Sequence, residues 1–276
     1  MSKPPQRRHG EKAAPLGSCA VRSAAPRWRR DVGWLEEELP VPRIDALSYG
    51  ARRALAKAWC HDALVAHAAV ASRSRFALEL LAVGAPASFV AQTQRAAYDG
   101  VRHARACFQL ATAYAGEPVG PGPLPFARAV AISDDLARVA MRAAIEGCVQ
   151  ETLAALIAAE RLEQATDAAV RRTLERIARD GARHAELGWC TVAWAVHRGG
   201  SRVRAAVARA FETAPHADLD DRSREDLRAH GRLDAATLEV VRRSAFDEVI
   251  RPCATRVLSA AGACVRRTSS GSASCD

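Results

Sequence analysis

Two long alanine- and arginine-rich stretches each carry one copy of the same six-residue pattern, 81 residues apart. The copies are Asp99-Gly100-Val101-Arg102-His103-Ala104 and Asp180-Gly181-Ala182-Arg183-His184-Ala185. The correspondence extends upstream, because position 66 lies 37 residues before His103 and Glu146 lies 38 before His184. The two halves therefore read as an internal duplication. A chain of two like halves, each built from a pair of long helices, can bury its apolar stripes in only a few packed arrangements.

Only 5% of the 276 residues are aromatic, and the abundance of alanine and arginine favours helices over the β-branched and aromatic mixture of strands. An all-α protein is expected. The first helix is predicted from about Ala51 to Val83 and is closed by Gly84-Ala85-Pro86, a C-terminal glycine followed by a proline that cannot continue the helix. The second spans about Ala87 to Ala115. The Pro- and Gly-rich run from Gly116 to Pro125 then excludes any helix interior. Ser133, followed by Asp134 and Asp135, reads as the N-cap of a third helix reaching about Gln164. A fourth runs from about Asp167 to Arg198 and stops at Gly199-Gly200. Shorter helices are expected over about 202–212, 222–229 and 234–262.

Short loops join helices one and two, and three and four, so each pair forms an antiparallel hairpin. The link from Gly116 to Ile132 can extend to roughly 55 Å, against about 45 Å for a 30-residue helix. It can therefore cross the whole bundle. The expected organisation is a tail over 1–33, a bundle over 34–200, a C-terminal helical appendage over 201–265 and a second tail over 266–276.

The two Asp-Gly-x-Arg-His copies resemble the Asp-Glu-x-Arg-His helix motif of the ferritin-like di-iron carboxylate proteins, with glycine in place of the metal-binding glutamate. The resemblance covers about residues 50 to 200 and implies a ferritin-like four-helix bundle, two antiparallel hairpins joined by a long crossover. In that family two helices each give one Glu and two give Glu-x-x-His. The resemblance assigns His103, Glu146 and His184 as remnant metal ligands and Ala66, Gly100 and Gly181 as vacated positions, three of the four expected glutamates. Asp99, Arg102, Asp180 and Arg183 remain, and the resemblance implies that they orient the histidines. At ~1.5 Å per residue, position 66 and His103 both sit about 25 Å from the first hairpin turn, so all of these positions are expected in one layer at mid-bundle.

One carboxylate cannot offset the charge of two iron ions. A di-iron cofactor is therefore not expected, and the leading reading is a non-catalytic scaffold or a ligand- or partner-binding protein with no cofactor. Asp–His–Arg hydrogen bonding would then satisfy a buried polar layer without metal. The alternative is a metal-dependent oxidoreductase with one iron or other divalent ion on His103, His184 and Glu146, the ligand set of mononuclear non-haem iron sites. Glu151 lies about 140° round an ideal helix from Glu146 and is expected to point elsewhere. His67 is read as a packing residue, Trp59, Trp189 and Trp194 as core, and Glu79 as a surface or interhelical salt-bridge residue.

Of the formal charge of +9, the first 30 residues hold +7, with eight Lys and Arg against Glu11 alone. The body is nearly neutral and interleaves no aromatics with basic residues, so nucleic acid is not expected as a partner. Cys60, Cys107, Cys148 and Cys190 fall singly inside helical runs without a C-x-x-C pair, which suits core packing in a reducing compartment such as the cytoplasm. Leu16-Gly17-Ser18-Cys19 lacks the apolar segment that would make it a lipoprotein cleavage box. No run of 18 apolar residues predicts a membrane span. The partner is not identified by the sequence, and a homodimer is one arrangement it allows.

Overall fold

A computed structural model describes residues 28–29, 33–35, 40–124, 131–213 and 227–259. The described chain is all-α apart from one two-residue pairing. Helix α1 (Tyr49–Ala82) starts at Ser48, whose Oγ accepts a hydrogen bond from the Ala51 N–H at 2.9 Å. It buries Ala51, Leu55, Trp59 and Ala63 at i, i+4 spacing. Helix α2 (Ala87–Ala115) ends at Gly116, whose φ of 76° suits a residue without a Cβ. The four-residue turn between them lets α1 and α2 pack along each other as an antiparallel pair.

Helix α3 is continuous through three segments: α-helical Leu136–Arg142, π-helical Ala143–Glu151 and α-helical Thr152–Gln164. Its cap is Asp135, whose Oδ1 accepts from the Ala137 N–H at 2.9 Å. Ser133, read from the sequence as the cap, instead accepts from the Asp135 N–H at 3.2 Å. The acidic side chain one residue before the helix has the shorter reach to its first N–H groups. Helix α4 (Ala168–Thr213) is capped by Asp167, which accepts from the Ala169 and Val170 N–H groups at 3.0 and 3.1 Å. Its first stretch ends at Gly199-Gly200, as the sequence predicts. Gly200 takes φ 61° and ψ −146°, and the helix resumes at a kink and continues to Thr213. A side chain would disfavour that conformation, so the glycine makes the expected break a kink between two helical stretches.

Helices α3 and α4 form the second pair, α2 packs across α4, and α3 touches α1. After a 3-10 turn (Arg228–His230), helix α5 (Ala235–Ser244) passes through a π turn (Ala245–Ile250) and stays helical to residue 259. The expected 222–229 helix falls mostly outside the described residues, as do the Leu16–Cys19 segment and the tail from 266 onward. Within the expected N-terminal tail, β1 (Trp28–Arg29) pairs antiparallel with β2 (Gly120–Pro121) of the crossover. No helix of the described residues is long and apolar enough to cross a membrane.

The apolar core splits into two ends with a polar layer between them. One end gathers Leu55, Trp59, Phe108, Tyr114 and Leu174, each large buried side chain contributing about 1.5–3 kcal/mol. The other gathers Ala140, Cys148, Val192, Val196 and Val207. A third cluster docks Leu233, Leu238 and Ile250 of the C-terminal segment on Val149, Leu153 and Ile157 of α3. Trp59 is fully buried, and Trp189 and Trp194 are partly buried against the core, as the sequence suggests. Cys107 and Cys148 are buried, whereas Cys190 is exposed.

Candidate functional site

The two repeated motifs meet on facing helices and bind each other crosswise. His103 Nε2 lies 3.0 Å from Asp180 Oδ2, and His184 Nε2 lies 3.2 Å from Asp99 Oδ2. The rings are 6.1 Å apart between centroids, and all four residues are buried. Arg183 bridges the aspartates, donating to Asp180 at 2.9 Å and Asp99 at 3.2 Å, and Arg102 reaches Asp99 at 3.4 Å. Burial alone would raise the Asp180 carboxyl, but the His103 hydrogen bond and charge together with Arg183 hold it well below the usual carboxylate range. Burial lowers His103 below the ordinary imidazole value, helped by Arg73 and outweighing the pull of Asp180.

Ala66, Gly100 and Gly181 have close neighbours. A Cβ on Gly100 would lie 2.9 Å from Arg73 Nη1, 3.1 Å from Val70 Cγ2 and 3.6 Å from the Ala66 carbonyl oxygen, so Ala66 and Gly100 share one level. A Cβ on Gly181 would meet the Ala155 Cβ of α3 at 3.3 Å. Gly100 thus leaves room for a guanidinium, and Gly181 for a close helix contact.

That guanidinium is the centre of the layer. Arg73 Nη2 donates to Glu151 Oε1 at 3.0 Å and contacts His184 Nδ1 at 3.1 Å. Because a guanidinium only donates, Nδ1 accepts and the His184 hydrogen sits on Nε2, directed at Asp99. Arg75 grips both oxygens of Glu146, at 2.9 and 3.2 Å. Arg142 pairs with Glu79, which also accepts from the Ser133 N–H at 3.3 Å. Burial pushes the Glu79 carboxyl upward against the opposing charges of Arg142 and Arg75.

One sequence reading changes here. Glu151 does not point away. The i→i+5 hydrogen bonding of the π segment brings residues five apart onto nearly one face, so Glu146 and Glu151 both line a cavity of about 50 Å³ with Arg73, Arg142 and His184. Glu79 is fully buried and pairs across helices with Arg142, the interhelical salt bridge that was one of its two expected placements. His67 packs edge-on against Trp34 at 4.9 Å between centroids, as a packing residue would. Sequence reasoning missed Arg73 and Arg75. Arg73 carried a usable signal, lying seven residues after Ala66 and so on the same helix face. The π segment carried none, because helical-wheel reasoning presumes the α period.

A di-iron centre does not fit these residues. Glu79, Glu146, Glu151, Asp99 and Asp180 are matched by Arg73, Arg75, Arg102, Arg142 and Arg183, so the layer is already near neutral. Glu146 is engaged by Arg75 rather than directed at the histidine pair. Among the described residues, no group of three or more His, Cys, Asp or Glu converges as metal ligands do. No protein-family model matches the chain, and no curated protein or solved structure shows significant similarity to it.

Proposed function

We propose that this chain is a ferritin-like four-helix bundle whose metal layer has become a self-satisfied polar layer, and that it acts as a non-catalytic scaffold or ligand-binding protein. The observation that carries the reading is the crosswise pairing of His103 with Asp180 and His184 with Asp99, closed by arginines where ions would otherwise supply positive charge. Two motif-bearing hairpins joined by a long connection support the fold assignment. Cavity size argues against chemistry in the layer. About 50 Å³ holds one or two waters, far below the roughly 300–1,000 Å³ of ordinary small-molecule sites. A cleft of about 1,020 Å³, where α1 begins and α2 ends, has the size for a ligand and is lined by Arg52, Arg53, Lys57 and His61 among others.

The test is elemental analysis of protein purified from iron-supplemented cells, together with its melting temperature with and without added Fe(II). We expect well under one metal ion per chain and no metal-dependent stabilisation. One or more tightly bound irons per chain would overturn the reading.

A further inference from the structure

We infer that Arg73 is the resident cation of the layer: its guanidinium holds the position between Glu151 and His184 where a divalent ion would sit, and removing it opens a metal site there. The inference rests on the reading of this layer as a vacated metal layer.

Geometry carries the step. Arg73 Nη2 is nearly equidistant from Glu151 Oε1 at 3.0 Å and His184 Nδ1 at 3.1 Å. It bridges a carboxylate and an imidazole lone pair as a metal would. Glu151 Oε2 lies 3.7 Å from His184 Nδ1. Two donors bound to one ion at about 2.1 Å in a tetrahedral array sit roughly 3.4 Å apart, so a shift of a few tenths of an ångström joins them. The lone pair is already presented to the cavity, since His184 Nε2 is fixed on Asp99 and such a partner is what orients a ligating histidine. Glu146 lines the same cavity but stays held by Arg75, so an ion on Glu151 and His184 would complete its coordination with water.

The chain also makes room for the guanidinium specifically. Gly100 is the residue whose Cβ would press on Arg73 Nη1 at 2.9 Å. The glycine and the arginine are therefore complementary, and together they replace a carboxylate and an ion. While Arg73 is present, a divalent ion would meet both a filled position and a like charge, so the native chain refuses metal.

Cobalt(II) is a suitable probe, because its visible spectrum reports binding to nitrogen and oxygen ligands without any assay of activity. We expect Arg73→Ala to take up about one Co²⁺ per chain, with a visible band and a metal-dependent rise in melting temperature. The native protein and Arg73→Lys, which keeps a cation in the cavity, should take up none. Adding Glu151→Gln to Arg73→Ala should abolish uptake. Arg73→Leu retains an apolar stem over Gly100 and serves if the alanine variant folds poorly. Uptake by neither variant, or failure of both to fold with or without Co²⁺, would overturn the inference and leave the proposed function standing. Stoichiometric metal in the native protein would overturn the proposed function itself.

Discussion

At the scale of single residues, the buried His103–Asp180 contact ties stability to pH. Burial lowers His103, and Arg73 and His184 act in the same direction against Asp180. The unfolded chain therefore takes up a proton that the folded chain resists. Its contribution is complete above the ordinary imidazole value of about 6.5 and declines as pH falls below it. Asp180, held low, adds a further loss beneath the ordinary carboxylate value of about 3.9. The melting temperature should fall between pH 7.5 and 5. His103→Gln, whose amide still donates to Asp180, should be less stable at pH 7.5 yet show a shallower decline. Parallel melting curves for the two proteins across that range would refute the assignment. The residues of this contact were legible in the repeated motif, but their partners were not. Spacing along a helix says which face His103 occupies, whereas only the docking of α2 on α4 decides that it meets the aspartate of the other copy.

At the scale of elements, the backbones of α3 and α4 approach closely where Gly147 faces Gly188. A Cβ on Gly188 would lie 2.6 Å from the Gly147 carbonyl carbon and 2.9 Å from the Cys148 nitrogen. Backbone atoms cannot swing aside as a side chain does. Replacing Gly188 by alanine should therefore destabilise the protein by about 1–3 kcal/mol through forced separation of the helices, despite the roughly 1 kcal/mol that alanine gains in helix propensity. A urea midpoint that stays level or rises in Gly188→Ala would mean that the helices do not touch there. Helix limits at the Gly84 and Gly116 ends were readable from the sequence, because glycine and proline act through local backbone geometry. The π segment was not, and with it went the placement of Glu151. A single widened turn rotates every later residue relative to an α-helical wheel, and no side chain from Ala143 to Glu151 marks where the widening begins.

At the scale of the whole molecule, the helical path breaks at Gly200, near the boundary the sequence suggested, and the chain returns to the other helices through Arg232. Arg232 is buried, lies 4.3 Å over the Trp59 ring and donates to Asp62 at 2.9 Å, while Arg161 of α3 reaches the same carboxylate at 3.1 Å. Burial would raise Asp62, but Arg232 and Arg161 overcome that and hold it below its ordinary value. Tyr114 Oη and His230 Nδ1, 2.8 Å apart, add a second tie between the C-terminal segment and α2. These links join α1, α2, α3 and the appendage at one apolar end of the bundle, so the appendage should not melt separately. Far-UV circular dichroism and tryptophan fluorescence should report one coincident thermal transition. Breaking a buried ion pair costs about 3–5 kcal/mol, and because Arg161 still serves Asp62, Arg232→Ala should fall near the lower end. Two resolved transitions in the native protein, or an unchanged melting temperature in Arg232→Ala, would show that bundle and appendage are independent units after all.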